Sequence, residues 1–294
     1  MLISVCVTTR NRTQNLEKCL YTLWRSDIKP ALVVVSDDSS SSEIQNQNRE
    51  VVKKYPNTTY IVGPMIGVCA NRNNAVNSIS PSETDFIAFV DDDVYVNLDF
   101  ISCATQKYEQ MNEQERSKTI LSGVSRDNTG KETVPTRLSF RGYFRPSKKP
   151  EAVAIHAALF PRSFFELEQW DEDIYFGYED AELCLRAMKN GFTILHCSDL
   201  KVLHSGAGES SLNIPHIGNL TEYEINIEAA RLYVGFKRYK DLFPNFLKLS
   251  CFATIYFVHM FFYLLRKRSL KALPIIVGIA KIRSLYTRSS TGIP

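Results

Sequence analysis

The 294 residues include 44% hydrophobic and 23% charged side chains, with a formal net charge of +3. That length suits one large domain, or one domain with an appendage, and the composition excludes a disordered chain. The small total charge gives no reason to expect nucleic acid as a partner, but the cations are unevenly placed: from Lys237 onward Asp241 is the lone carboxylate.

Residues 3–7 form a short apolar run that reads as a buried strand. Leu16, Cys19, Leu20 and Leu23 then recur at helical spacing behind Thr13, a candidate N-cap. Residues 31–35 read as a second strand, ending in Asp37-Asp38 and a serine run. Val51 and Val52 fall on a short helix, 60–62 is a third strand, and 67–79 is helical. Residues 86–90 are a fourth strand that runs into Asp91-Asp92-Asp93. This alternation implies an α/β fold, with a mostly parallel sheet and helices on both faces. Open sheets of that kind bind ligands at the carboxyl ends of their strands. Thr8, Thr9 and Arg10, the pair Asp37 and Asp38, and the aspartate triplet should therefore share one crevice.

Residues 119–160 are less regular. They carry Arg126, Arg137, Arg141, Arg145, Lys148 and Lys149 and read as sheet edge and loops near that crevice. Glu179-Asp180 open a helix that Gly191 stops. A strand at 201–203 leads to His204. The tail is apolar and aromatic from 249 to 265, is followed by Arg266-Lys267-Arg268, and has a second apolar patch at 273–280. About 17–20 apolar residues are needed to span a bilayer. The expected arrangement is a helix lying in the membrane interface, with a single span, packing on the domain or a homodimer contact as alternatives. Seven scattered cysteines without a C-x-x-C pair suggest free thiols in a reduced compartment. The opening strand lacks a signal-peptide pattern, so the expected location is the cytoplasmic face of the cell membrane.

Three adjacent carboxylates repel one another, and a hard divalent cation such as Mg²⁺ or Mn²⁺ relieves that repulsion. Residues i and i+2 of an extended segment face one side. Asp91 and Asp93 can thus share a metal while Asp92 points away, and the imidazole of His204 can complete the site. Such a metal helps a diphosphate to leave. Asp37 or Asp38 can accept a hydrogen bond from a base. Gly67 opens a helix whose N-terminus favours anions, and Arg72 can pair with a phosphate. Glu179 and Asp180 supply a candidate general base. Glu182 and Arg186, four apart, can pair on one helix face.

Taken in order, these segments resemble the family 2 glycosyltransferases of GT-A fold, over roughly residues 1–235. The carriers are Val-Cys-Val-Thr-Thr-Arg-Asn-Arg at the start, Val-Val-Ser-Asp37-Asp38-Ser-Ser, the Gly67 to Asn73 segment, Phe-Val-Asp91-Asp92-Asp93, the block from Trp170 to Arg186, and His204. The resemblance implies inversion at the anomeric carbon, with a nucleotide-sugar donor, UDP- or dTDP-linked. It implies Thr8, Thr9, Arg10, Asp37, Asp38, Gly67, Arg72, Asp91 and Asp92 at the donor, and Asp91, Asp93 and His204 at the metal. Asp180 is then the base, with Glu179 and Trp170 toward a saccharide acceptor in bacterial surface-polysaccharide synthesis, as in rhamnosyltransferase-like members; the membrane-contacting tail makes a lipid-linked acceptor the expectation. Arg10 stands where the family often has an aromatic, and Asn71 and Ala75 replace its more usual alanine and glycine. Residues 1–118 form the donor half, 119–235 the acceptor half, and 236–294 a basic, apolar helical extension. A nucleotidyltransferase and a sugar-nucleotide-binding pseudo-enzyme are the alternatives.

Overall fold

Residues 3–9 are β-branched, small or thiol-bearing, and all seven are buried, as a strand covered on both faces requires. In the computed structural model, which describes residues 1–206 and 215–288, they form β1 (Ile3–Thr9). There follow α1 (Thr13–Arg25), β2 (Leu32–Asp37), α2 (Ser42–Val52), β3 (Thr58–Val62), α3 (Val68–Asn77) and β4 (Phe86–Asp91). The short β5 (Val94–Val96), α4 (Phe100–Glu109) and α5 (Glu113–Arg116) lead to β6 (Thr119–Asp127). Three small strands, β7 (Glu132–Thr133), β8 (Thr136–Leu138) and β9 (Phe144–Pro146), precede β10 (Ala158–Pro161), α6 (Phe164–Leu167), α7 (Glu179–Lys189) and β11 (Thr193–His204). The hairpin of β12 (Pro215–Ile217) and β13 (Leu220–Thr221) opens into α8 (Glu222–Lys237). A π-helical turn, α9 (Phe246–Arg266), α10 (Ala272–Ile279) and α11 (Ile282–Arg288) complete the described chain.

The main sheet runs β3-β2-β1-β4-β10-β6-β11-β5, with β7 added beside β6. The first four strands are parallel. β10 is antiparallel to both neighbours, β11 is parallel to β6, and β5 is an antiparallel edge. Alternation along β1 divides the core. Ile3, Val5 and Val7 pack with Leu16, Leu20 and Leu23 of α1 and Phe100 of α4; Cys6 faces the side that holds α3, α7 and α8. Helices therefore cover both faces, as the strand–helix alternation implied.

Three expectations change. Residues 119–160 are not sheet edge: β6 and β10 lie at the centre of the sheet. Their signal was masked because β6 carries Ser122 and Gly123 in its middle. Gly123 is needed there, since a Cβ would lie 1.9 Å from the Leu200 carbonyl oxygen, where β11 bulges between His196 and Lys201. Thr13 is the first helical residue rather than the cap, which falls on Arg12 without a side-chain bond. The boundary at 235/236 cuts an unbroken helix, since α8 runs to Lys237. Phe252, Tyr256, Met260 and Leu264 of α9 join the same core cluster as Trp170 and Leu232, so this helix is built into the domain.

Candidate active site

The ends of β1, β2 and β4 meet, as the strand-end rule requires. The Thr8 hydroxyl donates to Asp91 Oδ1 at 2.7 Å, and the Thr9 hydroxyl donates to Asp92 Oδ2 at 2.7 Å. These threonines orient the carboxylates and so are occupied within the protein. The triplet then divides. Asp92 is fully buried, and Arg12 reaches it through Nη2 at 2.7 Å while its Nη1 binds Asp93 at 2.6 Å. Asp92 is thus no donor contact; it anchors the turn between β4 and β5. Burial pushes its carboxyl up to about 7, against the pull of Arg12 and Thr9.

Asp91 and Asp93 face a common pair of imidazoles. His156 Nε2 lies 3.1 Å from Asp91, His204 Nε2 lies 3.5 Å from Asp93, and the two rings stand 4.3 Å apart. Burial alone would raise both carboxyls. Arg72, His156 and Thr8 outweigh it and hold Asp91 well below the ordinary range, and His204 and Arg12 lower Asp93. Burial works against the His204 cation, yet the Asp93 carboxylate beside it raises its pKa. The register explains His204: β11 pairs with β5 so that His204 lies opposite Val94, and the Ser205 amide donates to the Asp93 carbonyl.

Arg72 joins the two halves of the site. Its side chain is 2% exposed, with Nη2 3.4 Å from Asp91 and Nη1 3.2 Å from Glu179. The guanidinium therefore faces two carboxylates, where the sequence suggested a phosphate. It also lies over Trp170, whose ring is edge-on to Phe89 and 2% exposed. Trp170 is a floor beneath Arg72 and does not face an acceptor.

Glu179 and Asp180 open α7 after two left-handed residues, Gly177 and Tyr178. Burial and the neighbouring Glu179 push the Asp180 carboxyl up to about 7. One Asp180 oxygen accepts from the Ala181 amide at 2.7 Å. Glu182 and Arg186 pair as their spacing indicated, at 2.7 Å, and Lys237 of α8 adds a 2.6 Å contact to Glu182.

At the nucleotide end, Asp37 is also corrected. It is fully buried and accepts from the Ser39 amide, Asn48 and Tyr60, which uses both oxygens inside the fold. Asp38 borders the crevice. Burial raises its pKa, it accepts from the Met65 amide at 2.9 Å, and the nearby Arg10 charge opposes the rise. Arg10 itself is exposed at the end of β1. Gly67, at φ 124°, caps α3 in a conformation that favours glycine. Residues 207–214, which follow His204 and the end of β11, lie outside the described residues.

Residues 4–166, more than half of the chain, match the family described as glycosyl transferase family 2. The chain belongs to that family. A curated relative, the GalNAc(5)-diNAcBac-PP-undecaprenol beta-1,3-glucosyltransferase of Campylobacter jejuni, is 32% identical over 111 residues. The match spans 36% of this chain and about a third (34%) of the length of that relative. Among solved structures, S. aureus TarS 1-349 superposes with a TM-score of 0.58 at 18% identity, over 86% of this chain and 71% of that one. Its complex with UDP-GlcNAc gives 0.56 at 19% identity, over 86% and 72%. At such identities the likeness shows the fold, which is GT-A.

In this glycosyltransferase two residues of the crevice had no place in the sequence reading. Arg12 follows Arg10 in the same strand-end turn, so the rule that gathered Thr8, Thr9 and Arg10 also reaches it. His156 sits in a 3-10 turn ahead of β10. No spacing or periodicity marks it, and pairing in the sheet is what brings it to Asp91.

Proposed function

We propose that the enzyme transfers a sugar from a nucleotide diphosphate to a saccharide hydroxyl by one inverting displacement. The observation that carries this is the Arg72 bridge: the same buried guanidinium contacts Asp91 on the donor side and Glu179 beside Asp180. The acceptor oxygen attacks the anomeric carbon from the face opposite the diphosphate. As that C–O bond forms, the bond to the diphosphate breaks, and Asp180 takes the hydroxyl proton. A carboxyl that titrates near neutral pH suits this task. Glu179 orients the acceptor, and Asp38, Arg10 and the Gly67 turn receive the nucleotide. UDP in complexes of the TarS neighbour supports UDP as the nucleotide. The Campylobacter relative is named for a saccharide on PP-undecaprenol, which supports a lipid-linked acceptor.

The donor set also suits a divalent cation. Asp93 Oδ1 is a buried oxygen with no well-formed hydrogen bond, and its near neighbour is His204 at 3.5 Å. Among the described residues no three such side chains already stand at ligand spacing. Asp93 and His204, with Asp91, would hold Mn²⁺ or Mg²⁺, whose charge offsets that of the leaving diphosphate. The test is a panel of UDP-, dTDP- and GDP-sugars with each metal, read by thermal shift and by slow donor hydrolysis. One strongly stabilising, hydrolysed donor is expected. Pyrophosphate release from a nucleoside triphosphate and a sugar phosphate would instead show nucleotidyl transfer, and binding of no sugar nucleotide would reject the proposal.

A further inference from the structure

Among the described residues, none packs over the outer face of α9. Phe252, Tyr256, Met260 and Leu264 point into the core, each at most 1% exposed. The opposite face presents Leu247, Ile255, Val258, Phe261, Phe262 and Leu265, which are 40–73% exposed. No Lys, Arg, Asp or Glu interrupts residues 249–265. A soluble surface rarely leaves so long an apolar strip in water. The strip has a basic rim: Lys248, Arg266, Arg268, Lys271 and Arg283 are exposed, and no carboxylate follows Asp241.

We infer that this face docks flat on an anionic lipid bilayer. Charge selects this occupant. An apolar strip edged by lysine and arginine matches acyl chains below anionic headgroups. A second copy of the chain, placed symmetrically, would set the basic rim against itself. The packing selects the orientation. With one stripe of α9 locked in the core, the helix lies along the surface and does not leave the domain to span the membrane.

The β8–β9 hairpin then links membrane and chemistry. Tyr143 in its loop packs edge-on to His259 of α9, with ring centroids 6.2 Å apart. Phe144 stacks on Tyr178, at 4.7 Å, immediately before Glu179 and Asp180. Arg137, Arg141 and Arg145 of this hairpin are exposed. A membrane seated on α9 therefore lies beside the route to Asp180, which is where a lipid-anchored acceptor needs it. The inference deepens the lipid-linked acceptor reading, and vesicle binding tests it apart from catalysis.

The experiment floats the full chain with phosphatidylcholine vesicles, with and without phosphatidylglycerol. Binding to the anionic vesicles is expected, with much weaker binding to the neutral ones. Val258→Glu with Phe262→Glu, at two exposed positions, should abolish binding and leave donor hydrolysis unchanged. Reversing Arg266 and Arg268 should weaken binding roughly fivefold or more per charge. Equal flotation of the double variant, or no flotation of the parent, overturns the inference. So does a dimer in sedimentation that the double variant dissociates, because a second copy would then cover the face. A chain that floats but turns over no sugar nucleotide removes the transfer reading and leaves the docking surface standing.

Discussion

Replacing Asp180 by asparagine separates chemistry from stability, because the same buried carboxyl moves the two in opposite directions. Burial and the Glu179 charge bring its pKa up to about 7. Only the ionised form can take the acceptor proton, so kcat/KM should rise with pH and level off above about 7, with about a tenth of the plateau one pH unit lower. Asp180→Asn should cost transfer about 10²–10⁴-fold. For stability the sign is reversed. The folded-state value lies above the ordinary 3.8, so the folded protein binds this proton more tightly than the unfolded chain. That contribution is complete below about pH 4 and is lost as pH rises through about 7. At about 1.4 kcal/mol per pH unit the rise is worth at most roughly 4 kcal/mol. Asparagine cannot ionise and can still accept from the Ala181 amide. The variant should therefore match the parent in urea unfolding near pH 4 and exceed it near pH 8. A variant that retains transfer refutes the base assignment. One that is no more stable than the parent near pH 8 refutes the electrostatic argument.

Three further substitutions test the crevice. Arg12→Ala leaves Asp92 buried without its cation. The Arg12 side chain is 40% exposed, so the loss should be about 2 kcal/mol in denaturant unfolding, below the cost of breaking a fully buried pair. Arg72→Ala deprives Asp91 and Glu179 of a 2%-exposed partner, and about 3–5 kcal/mol should be lost in the same assay. In Gly63→Ala the new Cβ would meet Asp38 Oδ1 at 2.1 Å and Asn71 Oδ1 at 2.5 Å. Asp38 and the buried Asn71 must both give way, so donor affinity in calorimetry should fall about tenfold, or ~1.4 kcal/mol, with a lower unfolding midpoint. Unchanged affinity would remove Asp38 from the nucleotide site.

The parallel half of the sheet was legible because its strands are uninterrupted apolar runs, each ending in a polar cluster. The central antiparallel half was not. β6 has a glycine where β11 presses against it, and β10 is four residues long, so neither leaves a periodic trace. For the site, the sequence named the acids but not their partners. Asp37, Asp92 and Trp170 have the residue types of ligand contacts, yet Asn48, Tyr60, Arg12 and Arg72 use them up inside the fold. Those partners come from other elements, and pairing between strands and helices, not local spacing, brings them in. His156 has the same history. The tail was legible as apolar and basic. That one stripe of α9 belongs to the core, and the rest does not, follows from its contact with α8 and could not be read from its composition.

The acidic triplet shows how this site can exist before any donor arrives. Three carboxylates in sequence would repel, yet each has a guanidinium beside it: Arg72 at Asp91, and Arg12 at both Asp92 and Asp93. Arg12 and Arg72 each span two carboxylates, which a planar guanidinium with several donors can do and a lysine ammonium cannot do as well. The two arginines differ in what they connect. Arg12 ties neighbouring residues of one turn and fixes its shape. Arg72 ties β4 to the start of α7, across 107 residues of sequence from Glu179. Whatever displaces Asp91 is therefore felt at Glu179, and through it at Asp180. One buried side chain thus joins Asp91 to Glu179, through contacts of 3.4 and 3.2 Å.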